Sequence, residues 1–144
     1  MSHPAAPTLS TPRVGVSAFL EHEGKLLLIE RGQAPNRGQL AFPGGKLKWG
    51  ETLTEAVERE LKEETRIIAR ATQLLDAVNV LVHDDQQRLA RHFVVLCFRC
   101  QWLAGHPVAS DDAQAIHWLS PTEVLKRQDV SPGVQQVIRS TQSL

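Results

Sequence analysis

The sequence predicts an α+β fold in which a mixed β-sheet is flanked by helices. Three observations carry that expectation. Apolar runs with strand-like patterning fill much of the chain, one strongly patterned amphipathic helix interrupts them from Thr52, and two further helix starts, each marked by Ser-Pro, close it. At 144 residues one domain is expected, large enough to bury roughly 70% of its unfolded surface without disulfides or structural metals.

Met1 to Pro12 is rich in Ser, Pro, Ala and Thr and reads as a flexible tail, with the domain over 13–144. The tail lacks a cationic start followed by an apolar stretch, and no run approaches a bilayer-spanning length. A cytoplasmic protein with no membrane partner is therefore expected. Val14 to Leu20 reads as a strand, Glu23-Gly24 as a turn and Lys25 to Ile29 as the hairpin partner. Arg31 to Gly38 is a loop. Gln39 to Phe42 is a short strand that runs into Pro43-Gly44-Gly45.

Thr52 to Thr65 is the clearest helix. Thr52 is its N-cap, Glu55 completes a capping box, and Leu53, Ala56, Val57 and Leu61 form the buried stripe. A long β region from Ile67 to Val82 follows. The polar turn Asp84 to Gln87 leads to a second strand from Leu89 to Trp102. Gly105 to Asp112 is a loop, and Ala115 to Leu119 is a short strand. Ser120-Pro121-Thr122-Glu123 combines an N-cap, Pro at the first helical position and a capping Glu. Ser131-Pro132 opens a last helix carrying Val134, Val137 and Ile138.

Sixteen basic residues balance sixteen acidic ones. That balance argues against long nucleic acid as a partner, since such proteins show a basic footprint, but leaves room for a small phosphorylated ligand. Cys97 and Cys100 lie within a strand-like run. Residues three apart on a strand face opposite sides, so the pair reads as ordinary strand residues and not as a metal or redox motif.

Glu60, Glu63 and Glu64 resist a purely structural reading. They share one side of the helix, where each like-charge pair costs roughly 0.2–0.5 kcal/mol. They also stand in its last turns, where the helix dipole disfavours anions. Taken alone, the helix could be a solvated charged face relieved by Glu55–Arg59 and Arg59–Glu63 pairs. The preceding Pro43-Gly44-Gly45 shifts the reading, because glycine lets backbone approach a ligand closely. A glycine-ended strand before clustered carboxylates gathers hard oxygen ligands suited to Mg²⁺. Lys46 and Lys48 lie nearby, available as phosphate contacts, although exposed lysines usually serve only solubility. Trp49, Phe42, His83, His92 and Trp102 offer rings that could stack on a base, but read more simply as core or rim packing.

From Gly45, the segment Gly45…Glu51…Arg59-Glu60-Leu61-Lys62-Glu63-Glu64-Thr65-Arg66-Ile67 resembles the signature box of the Nudix hydrolases. Arg31-Gly32, Phe42-Pro43-Gly44-Gly45 and Asp111-Asp112-Ala113…Trp118 extend the resemblance over most of the chain after the tail. The one departure is Arg66, where the pattern has a glycine that ends the helix in a left-handed conformation.

The resemblance implies a Nudix-type α/β/α sandwich and a metal-dependent hydrolase acting on a small nucleotide-like substrate. Glu60, Glu63 and Glu64 would hold Mg²⁺, with Mn²⁺ as the alternative, helped by the Gly44 carbonyl and a later carboxylate, Asp112 or its neighbour Asp111. Glu51 and Arg59 would pair and fix the helix against the loop. Arg31 and Lys46 would contact substrate, and Glu60 or Glu63 would act as the catalytic base. The surroundings of Asp111-Asp112 are similar to ADP-ribose pyrophosphatases, so a nucleoside diphosphate joined to another group is the first substrate class. A nucleoside triphosphate pyrophosphohydrolase is the second. A nucleotide sensor without turnover is a third, disfavoured by the intact glutamates. Many members of the family are homodimers, and that state stays open here.

Overall fold

Alternating burial along the first strand sets the layering. In the computed structural model, which describes residues 11–33 and 37–142, β1 (Arg13–His22) sends Val16, Ala18 and Leu20 to one face and Phe19 to the other. Glu23 and Gly24 follow with φ of 52° and 78°. Positive φ at both turn positions is the signature of the two-residue hairpin whose twist matches its strands. The chain returns as β2 (Lys25–Arg31), which is buried from Leu26 to Ile29. Leu26 and Leu28 join the same cluster as Phe19, and Leu27 joins the opposite one, so this strand is covered on both faces.

The remaining elements are β3 (Leu40–Ala41), β4 (Gly44–Lys46), α1 (Leu53–Thr65), β5 (Ile68–His83), β6 (Leu89–Ala104), β7 (Ala113–Leu119), α2 (Pro121–Lys126) and α3 (Pro132–Gln142). The sheet is mixed. β1 runs parallel to β6 and antiparallel to β4 and β2, β6 carries β5 on its far side, and β2 pairs with β3 and β7. α1 covers one face through Ala56, Val57 and Leu61, packed with Val16, Leu20, Ile67 and Phe98. Val124 of α2 and Val134, Val137 and Ile138 of α3 cover the other, packed with Phe19, Leu40, Val78 and Cys97. The result is the α/β/α sandwich expected from the sequence, and no helix among the described residues is long and apolar enough to cross a membrane.

Several boundaries moved. β5 and β6 each run slightly past the expected ends, and β7 begins at Ala113. The short strand expected over Gln39 to Phe42 is Leu40–Ala41, and Gly44–Lys46 is a separate strand paired with Gly15 to Ser17 of β1. Its glycines permit that close approach: a Cβ on Gly44 would collide with the Val16 carbonyl. Cys97 and Cys100 are free and buried in opposite clusters, and burial pushes both thiols up to about 12. Of the expected tail, 1–10 lies outside the described residues, and Thr11 and Pro12 are exposed.

α1 starts at the expected N-cap: Thr52 Oγ1 accepts from Glu55 N–H while the Glu55 carboxylate accepts from Thr52 N–H. Its C-cap is Arg66, left-handed at φ 67° and ψ 7°, with its N–H donated to the Lys62 carbonyl at 2.8 Å. A β-carbon in this region costs roughly 1–2 kcal/mol. Arg66 is exposed. Arg66→Gly is therefore expected to raise stability by about 1 kcal/mol, discounted for glycine's greater freedom in the unfolded chain. Thermal melts check this; a lower melting temperature in the glycine variant would reveal a native contact of the arginine side chain.

Candidate active site

The site forms where the end of α1 lies over β4. Glu64 faces inward and is only 5% exposed, although it follows a run of polar residues. Its Oε1 accepts the Gly44 N–H at 2.7 Å, which ties the helix end to the glycine strand. Glu60, one turn earlier, lies over Gly45 so closely that a Cβ there would strike its carboxylate. The two glycines thus bring backbone and carboxylates together.

One guanidinium organises the acidic side of the helix. Arg59 Nε and Nη2 reach the two Glu51 oxygens at 2.6 and 2.9 Å, a bidentate pair. Its Nη1 donates to Glu60 at 2.7 Å and Glu63 at 3.0 Å, and Nη2 also donates to the Lys46 carbonyl at 3.0 Å. The Glu55–Arg59 pair expected from helical spacing is replaced by the capping box, which keeps the Glu55 carboxylate at the helix start. Bound this way, Glu51 is held down to about 2, chiefly by its hydrogen bonds from Arg59. Glu60 moves the other way, because burial outweighs its bond to Arg59 and the charges of Glu63 and Asp111 add to the effect. Burial pushes Glu64 up to about 8, opposed by the Gly44 N–H and reinforced by Glu60 and Asp112.

The later carboxylates reach the site through a loop that caps α1. Val108 and Ser110 N–H groups donate to the Thr65 and Glu64 carbonyls at 2.8 and 2.9 Å, and Ser110 Oγ donates to the Glu63 carbonyl. Last-turn carbonyls lack partners within a helix, so this loop satisfies them and carries Asp111 and Asp112 toward Glu60 and Glu64. The Asp112 carbonyl also accepts from Gly32 N–H at 3.1 Å, which places neighbouring Arg31 within electrostatic reach of Glu64. Sequence reasoning missed Val108 and Ser110; a polar loop after a long strand carries no signal of which helix it will cap.

The donor set is carboxylate and backbone oxygen, the hard ligands that Mg²⁺ favours. A divalent cation beside Glu64 would also hold this buried carboxyl ionised against the cost of burial. Among the described residues no three such side chains converge on one point, because Glu60 and Glu63 both turn toward Arg59 Nη1. Lys46 is exposed at the end of β4. Of the rings that could stack on a base, Phe42 is in the core and Trp49 is fully exposed. Trp102 stacks on Trp118 at 5.9 Å and donates its ring N–H to the Ala104 and Gly105 carbonyls. His83 is exposed, and the covered Nε2 of His92 has no hydrogen-bond partner among the described residues.

Comparison with known proteins points to one family. The family described as the NUDIX domain matches residues 11–140. The chain is 38% identical over 104 residues to an ADP-ribose pyrophosphatase of Methanocaldococcus jannaschii, covering 72% of this chain and 59% of that protein, so it spans less than two thirds of that relative. It is 33% identical over 130 residues to a MutT-like protein of Streptomyces ambofaciens, covering 88% of this chain and 77% of the other. A phosphatase NudJ of Shigella boydii is 30% identical over 133 residues, covering 92% and 84%. Among solved structures, a MutT Nudix hydrolase from Burkholderia pseudomallei superposes with a TM-score of 0.80 at 27% identity, covering 90% of this chain and 98% of that one. A match across nearly the whole chain, with this glutamate helix at its centre, means that the chain belongs to the Nudix hydrolase family.

Proposed function

We propose that the protein is a Mg²⁺-dependent hydrolase that cleaves the diphosphate bond of a nucleoside diphosphate joined to another group, with ADP-ribose as the first substrate. The observation that carries this reading is the buried Glu64 carboxyl against Gly44, with Glu60 over Gly45 and the Asp111-Asp112 loop facing them. Glu60, Glu63, Glu64, the Gly44 carbonyl and Asp112 would hold the cation, for which Mn²⁺ is the second choice. When bound, it would acidify water and neutralise charge on the diphosphate oxygens. Glu60 or Glu63 would take the proton from the attacking water. Arg59, fixed by Glu51, would hold those two carboxylates in place. Arg31 and Lys46 would meet the phosphate oxygens. The name of the Methanocaldococcus relative supports the ADP-ribose reading. A nucleoside triphosphate is the second substrate class.

Incubation with a panel of nucleotides and Mg²⁺, products identified by mass, tests the proposal. ADP-ribose is expected to give AMP and ribose 5-phosphate; a nucleoside triphosphate that wins instead would give a monophosphate and pyrophosphate. Orthophosphate from simple phosphomonoesters, with no cleavage of any diphosphate compound, would overturn it.

A further inference from the structure

The glutamates of α1 and the aspartates after β6 meet through one residue. A helix leaves its last four carbonyls without partners of its own, and those of α1 are all taken. Lys62 accepts the Arg66 N–H, Thr65 accepts the Val108 N–H, and Ser110 takes the two between them. Its hydroxyl donates to the Glu63 carbonyl, and its N–H donates to the Glu64 carbonyl at 2.9 Å. The Ser110 carbonyl then accepts the Ala113 N–H at 3.1 Å, which closes a turn over Asp111 and Asp112. Every polar group of Ser110 thus serves to join the two glutamates to the two aspartates.

Capping the helix alone does not require this arrangement. Asp111 stands in the left-handed region at φ 56°, which a residue with a side chain keeps only where its neighbours fix it. On the other side of the turn the Asp112 carbonyl accepts the Gly32 N–H at 3.1 Å, so the pair is strung between α1 and the end of β2. The charge of Asp111 bears on Glu60 and that of Asp112 on Glu64. Like charges at short range push the turn away from the helix, and the hydrogen bonds of Ser110 oppose that push. We propose that Ser110 is a positioning residue, which holds Asp111 toward Glu60 and Asp112 toward Glu64. The proposal rests on the cation-site reading above and adds to it the residue that joins the two halves of the site.

Two measurements on the full chain test it. The first titrates Mg²⁺ into the cation-free protein by calorimetry. Ser110→Ala, which removes the hydroxyl alone, is expected to bind about fivefold more weakly, the worth of one hydrogen bond. Ser110→Thr keeps the hydroxyl and should stay within about twofold of the parent. A residue that only capped the helix would lower the melting temperature and leave the affinity unchanged. That result, or a threonine variant as weak as the alanine one, would overturn the proposal while leaving the proposed function standing. The second follows amide exchange without cation. The Gly32 and Ala113 N–H groups should exchange about fivefold faster in Ser110→Ala, with the Ala56 N–H, bonded to Thr52 at the start of α1, unchanged. Parental rates at Gly32 and Ala113 would overturn the proposal. Faster exchange there, in a chain that binds no Mg²⁺ and cleaves no diphosphate compound, would keep the role of Ser110 and remove the proposed function.

Discussion

Glu64→Gln is expected to lower cation-dependent hydrolysis by about a hundredfold or more while stabilising the cation-free protein. The activity loss follows from the proposed ligand role, since a cation's charge stabilisation is worth several kcal/mol, and every 1.36 kcal/mol is tenfold in rate. The stability gain follows from burial. Glu64 titrates near 8 when folded, against an ordinary value of 4.5, so the folded state holds a proton that the unfolded state has lost. Stability of the parent therefore falls as pH rises from 4.5 toward 8, and the neutral glutamine escapes that loss. The difference should grow through this window to on the order of 4 kcal/mol at pH 8. Gln retains an oxygen to accept the Gly44 N–H. Glu51, held down to about 2, works in the opposite sense: its stabilisation is lost only as pH falls from 4.5 toward 2, and it is common to both proteins. Melts in chelator at pH 5, 6.5 and 8 measure the effect. A variant that melts below the parent at pH 8 would make Glu64 a structural carboxylate.

Arg59→Ala is expected to be the most destabilising single change at the site. Its guanidinium, 20% exposed, is shared among Glu51, Glu60, Glu63 and the Lys46 carbonyl, so truncation leaves carboxylates close together without their counter-charge. Breaking a buried pair costs about 3–5 kcal/mol, and partial exposure reduces that here to roughly 2–3 kcal/mol. Arg59→Lys should recover only part of it, because an ammonium cannot bond both Glu51 oxygens in a fork. Turnover should fall about 10–100-fold, as for other groups that orient metal ligands. Urea denaturation and steady-state kinetics check both effects. Parental stability in Arg59→Ala would mean that these carboxylates are satisfied by solvent.

Local chemistry was the legible part of the fold. The Thr52–Glu55 and Ser120–Glu123 capping boxes and the Glu23-Gly24 hairpin turn follow from residue types at fixed offsets, whereas the left-handed end of α1 at Arg66 is adopted against the preference of its residue. Long-range pairing was not legible. Nothing in the pattern of β1 shows that it runs parallel to β6, with partners eighty residues apart, or that Gly44–Lys46 will join it. The clustered glutamates were visible as a face of the helix, but spacing alone did not separate their environments. Glu64 is buried because Gly44 and the Asp111-Asp112 loop close over it, whereas Glu63 stays partly exposed beside Arg59. The aromatic candidates divided for the same reason: Trp102 was taken up by Trp118, a partner brought to it across the fold.

The central claim is that Glu60 and Glu64 hold a divalent cation on this helix. A calorimetric titration of Mg²⁺ into the full chain, run in parallel on the parent, Glu60→Gln and Glu64→Gln at pH 8, tests it most directly. Saturable binding to the parent is predicted, weakened at least tenfold in each variant, because removing one charged ligand from a small set removes at least 1.4 kcal/mol. Equal affinity in all three proteins would place the cation elsewhere and contradict the account.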